Sequence, residues 1–315
     1  MQWHSKQVQE QIAPLDFAML NRVMPELVSR YNGYYGLDLE SQVSGLIHQV
    51  GSFDAAGFTI VAHVFKLPEA KGTVYLQHGY YDHVGLYSHI IKHCLSQGFN
   101  VFSYDLPGHG LSSGDRAGID SFNQYDQVFS GGLELVQSHF SGPVVAMGQS
   151  TGGAVIVNYL LSRGLDRTTS PFAKIYLLAP LVRPVGWTGG QLLYYIVRPF
   201  IHKLKRTFVK NSHNKEFLRF ISRQDPLQPL FLKTSWVGAL KSWIKTIEAS
   251  PAVDLDIQVI QGTEDGTVDY RHNMKVLKEK FSGFKVKYVE QGRHQLVNEE
   301  QQKLQQVLDV MTPMV

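Results

Sequence analysis

The sequence predicts an α/β fold: a mostly parallel central sheet flanked by helices, with an inserted helical cap. Three observations predict it. Between residues 72 and 178, and again between 255 and 311, short apolar runs alternate with segments of helical periodicity. Strands joined by helical crossovers lie parallel and are covered on both faces. The rhythm fails between about 181 and 252, where helical periodicity and aromatic residues continue without a strand of the central type, as an insertion would read. Finally, residues 143–161 hold a buried strand, one serine between glycines and the start of a helix in immediate succession.

Residues 1–45 carry Leu15, Phe17, Leu20, Val23, Leu27 and Val28 at mixed three- and four-residue spacing, ahead of a turn-rich stretch at 31–36. They predict a helical extension packed on the outside, with no chemistry assigned. Segments 46–53 and 58–67, separated by Asp54-Ala-Ala-Gly57, read as a hairpin. Then come a strand at 72–77, a helix at 87–97, and a strand at 100–104 closing on Asp105-Leu-Pro-Gly-His-Gly110. A helix within 121–139, the strand 144–147 with its helix, and a strand at 173–178 complete the first block. After the cap follow a strand at 255–260, a helix at 272–281, a strand at 284–289 and a last helix at 298–311. The expected division is an extension over 1–45, a core over 46–180 and 253–315, and a cap over 181–252.

Composition narrows the function classes. Hydrophobic content of 43% with 18% charged residues is ordinary for a soluble globular chain, and a formal charge of +3 is too small to argue for nucleic acid. A single cysteine, Cys94, excludes a disulfide framework and a cysteine-rich metal site, and its apolar setting (Ile90, Ile91, Leu95) suits a packing thiol. No run reaches the 18 or more apolar residues of a membrane span. The N-terminus lacks an apolar stretch before a small-residue cleavage site, so a cytoplasmic location is expected.

The chemistry starts at Gly148-Gln-Ser150-Thr-Gly152. A strand reversing straight into a helix leaves no room for Cβ atoms beside the turn residue, which explains the glycines and pushes Ser150 out of the sheet. The Thr151 amide, at the helix N-terminus, points toward any negative charge forming there. A serine hydroxyl needs a neutral imidazole to take its proton, and that imidazole needs a carboxylate to hold its tautomer. Parallel sheets bind ligands outside the carboxyl ends of their strands. The loop after 255–260 offers Asp265, with Glu264 and Asp269 as competitors, Asp269 being equally placed to cap a helix. The loop after 284–289 offers His294, whose place fits the chain order Ser, acid, His; His93 and His272 fall within helical patterns. A second oxyanion donor is expected from the loop after 72–77, where Gly79 lets the chain turn and leaves the amide of Tyr80 to pair with that of Thr151. His78 reads as a structural loop residue.

These residues bring the chain close to a known family. Over about 46–311 it resembles the α/β-hydrolase superfamily, in the branch of monoacylglycerol lipases and bacterial lysophospholipases. The resemblance rests on His78-Gly79 with Asp82-His83, Asp105-Leu-Pro-Gly-His-Gly-Leu-Ser112, Gly148-Gln-Ser-Thr-Gly-Gly153, Gly262-Thr-Glu-Asp265 with Val268, and Gly292-Arg-His294. It implies Ser150 as nucleophile, Asp265 as orienting acid, His294 as general base, an oxyanion hole at Tyr80 and Thr151, and 181–252 as a lid over an acyl pocket. It also implies a small-molecule acyl ester as substrate, a monoacylglycerol or a lysophospholipid, with no cofactor and no metal. The chain departs from the pattern at Gln149 and Thr151, where His and Met are common, and at Tyr81, where a small residue is usual; Tyr81 is thus a candidate for shaping the substrate mouth. Asp105 is not the acid nucleophile of dehalogenases, which occupies the elbow position. The rival readings are an aminopeptidase or amidase of the same fold, which would need a carboxylate pair near the mouth to hold a substrate ammonium, with Glu264 and Asp269 as its candidates, and a non-catalytic binding protein. Within the cap, 192–210 interleaves apolar residues with Arg198, Lys203, Lys205, Arg206 and Lys210. One reading is a segment lying on an anionic membrane; the other is a cap helix with an apolar inner face and a solvated basic face.

Overall fold

A computed structural model describes residues 4–312. The core is an eight-stranded sheet. Strands β1 (Ile47–Ala55) and β2 (Phe58–Lys66) form the expected hairpin, pivoting on Ala56 and Gly57, both at positive φ. Then follow β3 (Thr73–Gln77), β4 (Asn100–Tyr104), β5 (Val144–Gln149) and β6 (Phe172–Leu178). Strands β7 (Lys203–Lys205) and β8 (Phe231–Lys233) form a separate two-stranded ribbon, while β9 (Val253–Gly262) and β10 (Phe281–Val289) return to the main sheet. Its order is β1-β2-β4-β3-β5-β6-β9-β10, antiparallel only where β2 meets β1 and β4. Alternate residues of one strand feed opposite cores: Val74 and Leu76 enter one, Tyr75 the other. That two-sided burial is why these strands read as continuous apolar runs.

The helices are α1 (Ser5–Gln11), α2 (Glu26–Tyr35), α3 (Ser88–Ser96), α4 (Phe122–His139) and α5 (Thr151–Ser162), then α6 (Trp187–Val197), α7 (Lys215–Arg223) and α8 (Thr234–Ala249), and finally α9 (Tyr270–Lys280) and α10 (Gln301–Val310). Helix α4 starts on a capping box, with Ser121 accepting from Asn123 N and Gln124 reaching back to Ser121 N.

Two expectations are corrected. Residues 12–25 are not helical: Pro14 cannot donate a helix bond, and residues 13–15 instead lie along the sheet edge, with Leu15 N donating to Ser52 O at 2.8 Å and Ser52 N to Ala13 O at 3.0 Å. Gly51 permits this approach, since a Cβ there would come within 2.7 Å of Leu15 Cδ2. Nor is 192–210 one helix. Helix α6 stops at Val197, just before Pro199, and the chain continues as turn, β7 and irregular backbone.

Candidate active site

Strand β5 passes into α5 through a single residue. Ser150 is held at φ 53°, ψ −111°, outside the conformations that side chains favour. The flanking glycines are obligatory: a Cβ on Gly148 would come within 2.5 Å of Gly152 C, and one on Gly152 within 2.4 Å of Gln77 O. Backbone cannot yield as a flexible side chain can. The turn is pinned from the neighbouring strand by Ser150 N donating to Leu178 O at 2.8 Å.

Three sequence-predicted residues meet here. Ser150 Oγ lies 2.9 Å from His294 Nε2, and His294 Nδ1 lies 2.8 Å from Asp265 Oδ2. Asp265 also accepts from Thr267 N (2.9 Å), Val268 N (3.1 Å) and Gln261 Nε2 (3.1 Å). Burial works against its charge, but the facing His294 and these donors outweigh it, so its carboxyl titrates below the ordinary range. Burial likewise opposes an imidazolium at His294, yet Asp265, with a smaller contribution from Asp82, carries its pKa above the ordinary value. The Asp265 contact assigns the proton to Nδ1 and leaves Nε2 free to accept from Ser150.

The competitors are occupied elsewhere. Asp269 caps α9 by accepting from His272 N and pairs with Arg183 at 3.5 Å; Glu264 faces His213 and Arg293. His272 meets Glu248 at 2.8 Å, and His93 lies on α3. His78 is buried as a structural residue, its Nδ1 donating to Gly79 O and its Nε2 accepting from Leu106 N. Cys94 is buried, and burial pushes its thiol up to about 12. Asp105 is tied to the amides of Val84 and Leu111.

The loop after β3 lies against the elbow, since a Cβ on Gly79 would stand 3.3 Å from Ser150 Cβ. The amides of Tyr80 and Thr151 donate to no group among the described residues. Tyr81, at φ 70°, takes a backbone conformation that side chains rarely adopt.

Sequence reading missed the supports of this arrangement. Gln149 Nε2 donates to His294 O at 2.8 Å. Gln295 Nε2 donates to both oxygens of Asp82 (2.9 and 3.0 Å); Asp82 also accepts from Tyr87 Oη (3.0 Å), which in turn accepts from Gly79 N at 3.0 Å. The elbow, the loop after β3 and the loop carrying His294 are therefore laced together by neutral amides and one buried carboxylate. Gln149 was visible in the sequence only as a departure from the family pattern.

Above Ser150 and His294 opens a cavity of about 370 Å³, walled mainly by apolar residues of α6, α8 and the segment 181–187. No Asp or Glu lines it among the described residues. Nor, among those residues, is any group of three or more His, Cys, Asp or Glu placed to hold a metal ion. Arg206 turns inward here instead of joining a solvated basic face, because its guanidinium is held between the rings of Tyr81 (4.0 Å) and Phe208 (4.4 Å).

A family model described as serine aminopeptidase, S33, matches residues 68–301. The monoglyceride lipase homolog of monkeypox virus is 26% identical over 244 residues, covering 73% of this chain and 83% of its own. The human monoglyceride lipase is 28% identical over 113 residues, 36% of each chain, so that match spans about a third of it. Among solved structures, a soluble variant of the Saccharomyces cerevisiae monoglyceride lipase in complex with a substrate analog is similar with a TM-score of 0.70 at 18% identity, over 86% of this chain and 94% of that one. At that identity the likeness is one of fold.

Proposed function

The chain belongs to the α/β-hydrolase family described as serine aminopeptidase, S33, and from that premise we propose that it is a serine carboxylic-ester hydrolase acting on amphiphilic acyl esters, a monoacylglycerol or a lysophospholipid. One observation carries the reading: Ser150 Oγ, His294 and Asp265 stand in line at 2.9 and 2.8 Å at the base of an apolar cavity. Ser150 Oγ attacks the ester carbonyl as its proton passes to His294 Nε2, and Asp265 stabilises the imidazolium. The amides of Tyr80 and Thr151 hold the oxyanion. Collapse of the tetrahedral species returns the proton to the leaving alcohol and leaves an acyl group on Ser150. Water, deprotonated by His294, then releases the acid and restores the hydroxyl.

The family description raises a second reading, removal of N-terminal residues from peptides. A substrate ammonium in a water-poor cavity needs a carboxylate beside it, and the lining holds none among the described residues. That favours the ester. The monoglyceride lipase names of similar proteins point the same way. Residues 181–252 act in this reading as the lid over the acyl pocket.

The test is hydrolysis of p-nitrophenyl esters from acetate to palmitate, with Ser150→Ala alongside. Turnover should rise with chain length and fall by about four orders of magnitude or more in the variant, which keeps its fold. Ester hydrolysis that survives in Ser150→Ala would sink the assignment.

A further inference from the structure

The cavity is apolar but holds one fixed cation. Arg206 Nη1 donates to Gln228 Oε1 at 2.7 Å and to Pro229 O at 3.3 Å, while Nε and Nη2 meet no acceptor among the described residues. Its face lies on Tyr81, Tyr81 on Tyr80 (centroids 4.1 Å apart), and Tyr80 on Trp236 of α8 (3.8 Å). Guanidinium and oxyanion loop are thus parts of one row of packed rings, in which Arg206 lies between Tyr81 and Phe208.

Burial disfavours this charge, and no carboxylate among the described residues stands in ion-pair contact to offset it. Asp82 and Asp225 attract it from farther away, but neither lines the cavity. Their oxygens are committed, those of Asp82 to Gln295 and Tyr87 and those of Asp225 to Tyr35, His83 and Gln228. Cation–π contact offsets part of the cost. The remaining donors form a planar fork suited to a phosphate or carboxylate.

Resting on the ester-hydrolase reading, we propose that Arg206 recognises an anionic group on the alcohol side of the substrate, so that the preferred ester is a single-chain acyl glycerophosphate carrying a phosphate monoester. The apolar walls supplied by α6 and α8 take the acyl chain, and the Tyr81–Arg206 end takes the phosphate. A choline head group would bring a cation for which the lining offers no carboxylate.

The experiment compares kcat/KM on 1-acylglycerol 3-phosphate, 1-acylglycerol and lysophosphatidylcholine of one short chain length, all below their micellar thresholds. The wild type should favour the phosphate monoester by about tenfold or more, and Arg206→Met should bring the ratio to about one, with Arg206→Lys between. In Ser150→Ala, calorimetry should show glycerol 3-phosphate binding more tightly than inorganic phosphate, and adding Arg206→Met should abolish it. Thermal melts of both Arg206 variants identify any that fail to fold. A wild-type ratio of one, or losses in Arg206→Met equal on all three esters, overturns the proposal and leaves Arg206 a structural residue. Absence of serine-dependent turnover on every ester would instead overturn the hydrolase reading itself, while the calorimetry still judges the phosphate site.

Discussion

The imidazole of His294 is pulled two ways: burial favours its neutral form, and Asp265 favours its cation more strongly. In the proposed reaction His294 is the general base, which works only when neutral, so kcat/KM should rise with pH through a midpoint above the ordinary imidazole value of about 6.5. Linkage gives the opposite sign for stability. A raised His294 pKa contributes stability below the unfolded value, and that contribution is lost as pH rises through the folded one; the depressed Asp265 contributes above its unfolded value and loses this as pH falls through its folded one. Turnover therefore rises as the ionic part of this stabilisation is given up. The check is the pH profile of kcat/KM on a soluble ester, together with Asp265→Asn, which should cut kcat by about 10⁴ and shift the ascending limb to lower pH. A wild-type midpoint at or below the ordinary value would contradict this account. At this scale Ser150, Asp265 and His294 were legible because each closes a strand of the sheet. Gln149 and Gln295 were not, because their partners, His294 O and Asp82, lie 145 and 213 positions away.

Several elements converge on Asp225, between α7 and β8. Its oxygens receive His83 Nε2 at 3.0 Å from the loop after β3, Tyr35 Oη at 2.6 Å from α2, Gln228 Nε2 at 2.9 Å and Leu227 N at 3.0 Å. The N-terminal extension, the core and the 181–252 segment are thereby tied at one buried carboxylate. Burial opposes its charge, yet His83 and the donors hold its pKa down to about 2, while His83 itself is raised, burial being outweighed chiefly by Asp225. The pair stabilises fully between the unfolded carboxylate value of about 3.9 and the unfolded imidazole value of about 6.5. Below, it weakens toward pH 2; above, it weakens as His83 titrates. Asp225→Asn leaves His83 buried without its counter-charge and should lower the unfolding free energy by about 3–5 kcal/mol near pH 6. Denaturant melts measure this, and a loss under about 1 kcal/mol would show that the tie carries little. No local pattern announces such a junction. Strand–helix alternation was readable because doubly buried strands leave uninterrupted apolar runs; the edge segment 13–15 and the three-residue β7 and β8 offer too few positions for any period to register.

Over the whole molecule, apolar exposure is uneven. Of thirteen large hydrophobic residues exposed among those described, nine lie within 181–252, with Phe200 84% and Ile196 61% exposed. Exposed Arg198, Lys203, Lys205 and Lys210 stand among them. No helix of the described residues is long and apolar enough to cross a membrane. Apolar side chains ringed by cations suit shallow insertion at an anionic lipid surface, and the mouth of the cavity shares Leu193 with that patch. We propose that this side docks on lipid, so that a single-chain substrate enters the cavity without crossing water. Each lysine near an anionic surface contributes about 1 kcal/mol. Lys203→Gln with Lys205→Gln should therefore weaken partitioning onto phosphatidylserine-containing vesicles by roughly tenfold to thirtyfold, and raised salt should do the same to the wild type. Ile196→Ser with Phe200→Ser should reduce binding to neutral and anionic vesicles alike, because it removes the inserted surface and leaves the charge unchanged. Vesicle sedimentation reads all three. Equal wild-type binding to neutral and anionic vesicles would remove the electrostatic component, and no loss in the serine variant would move the docking face elsewhere on the molecule.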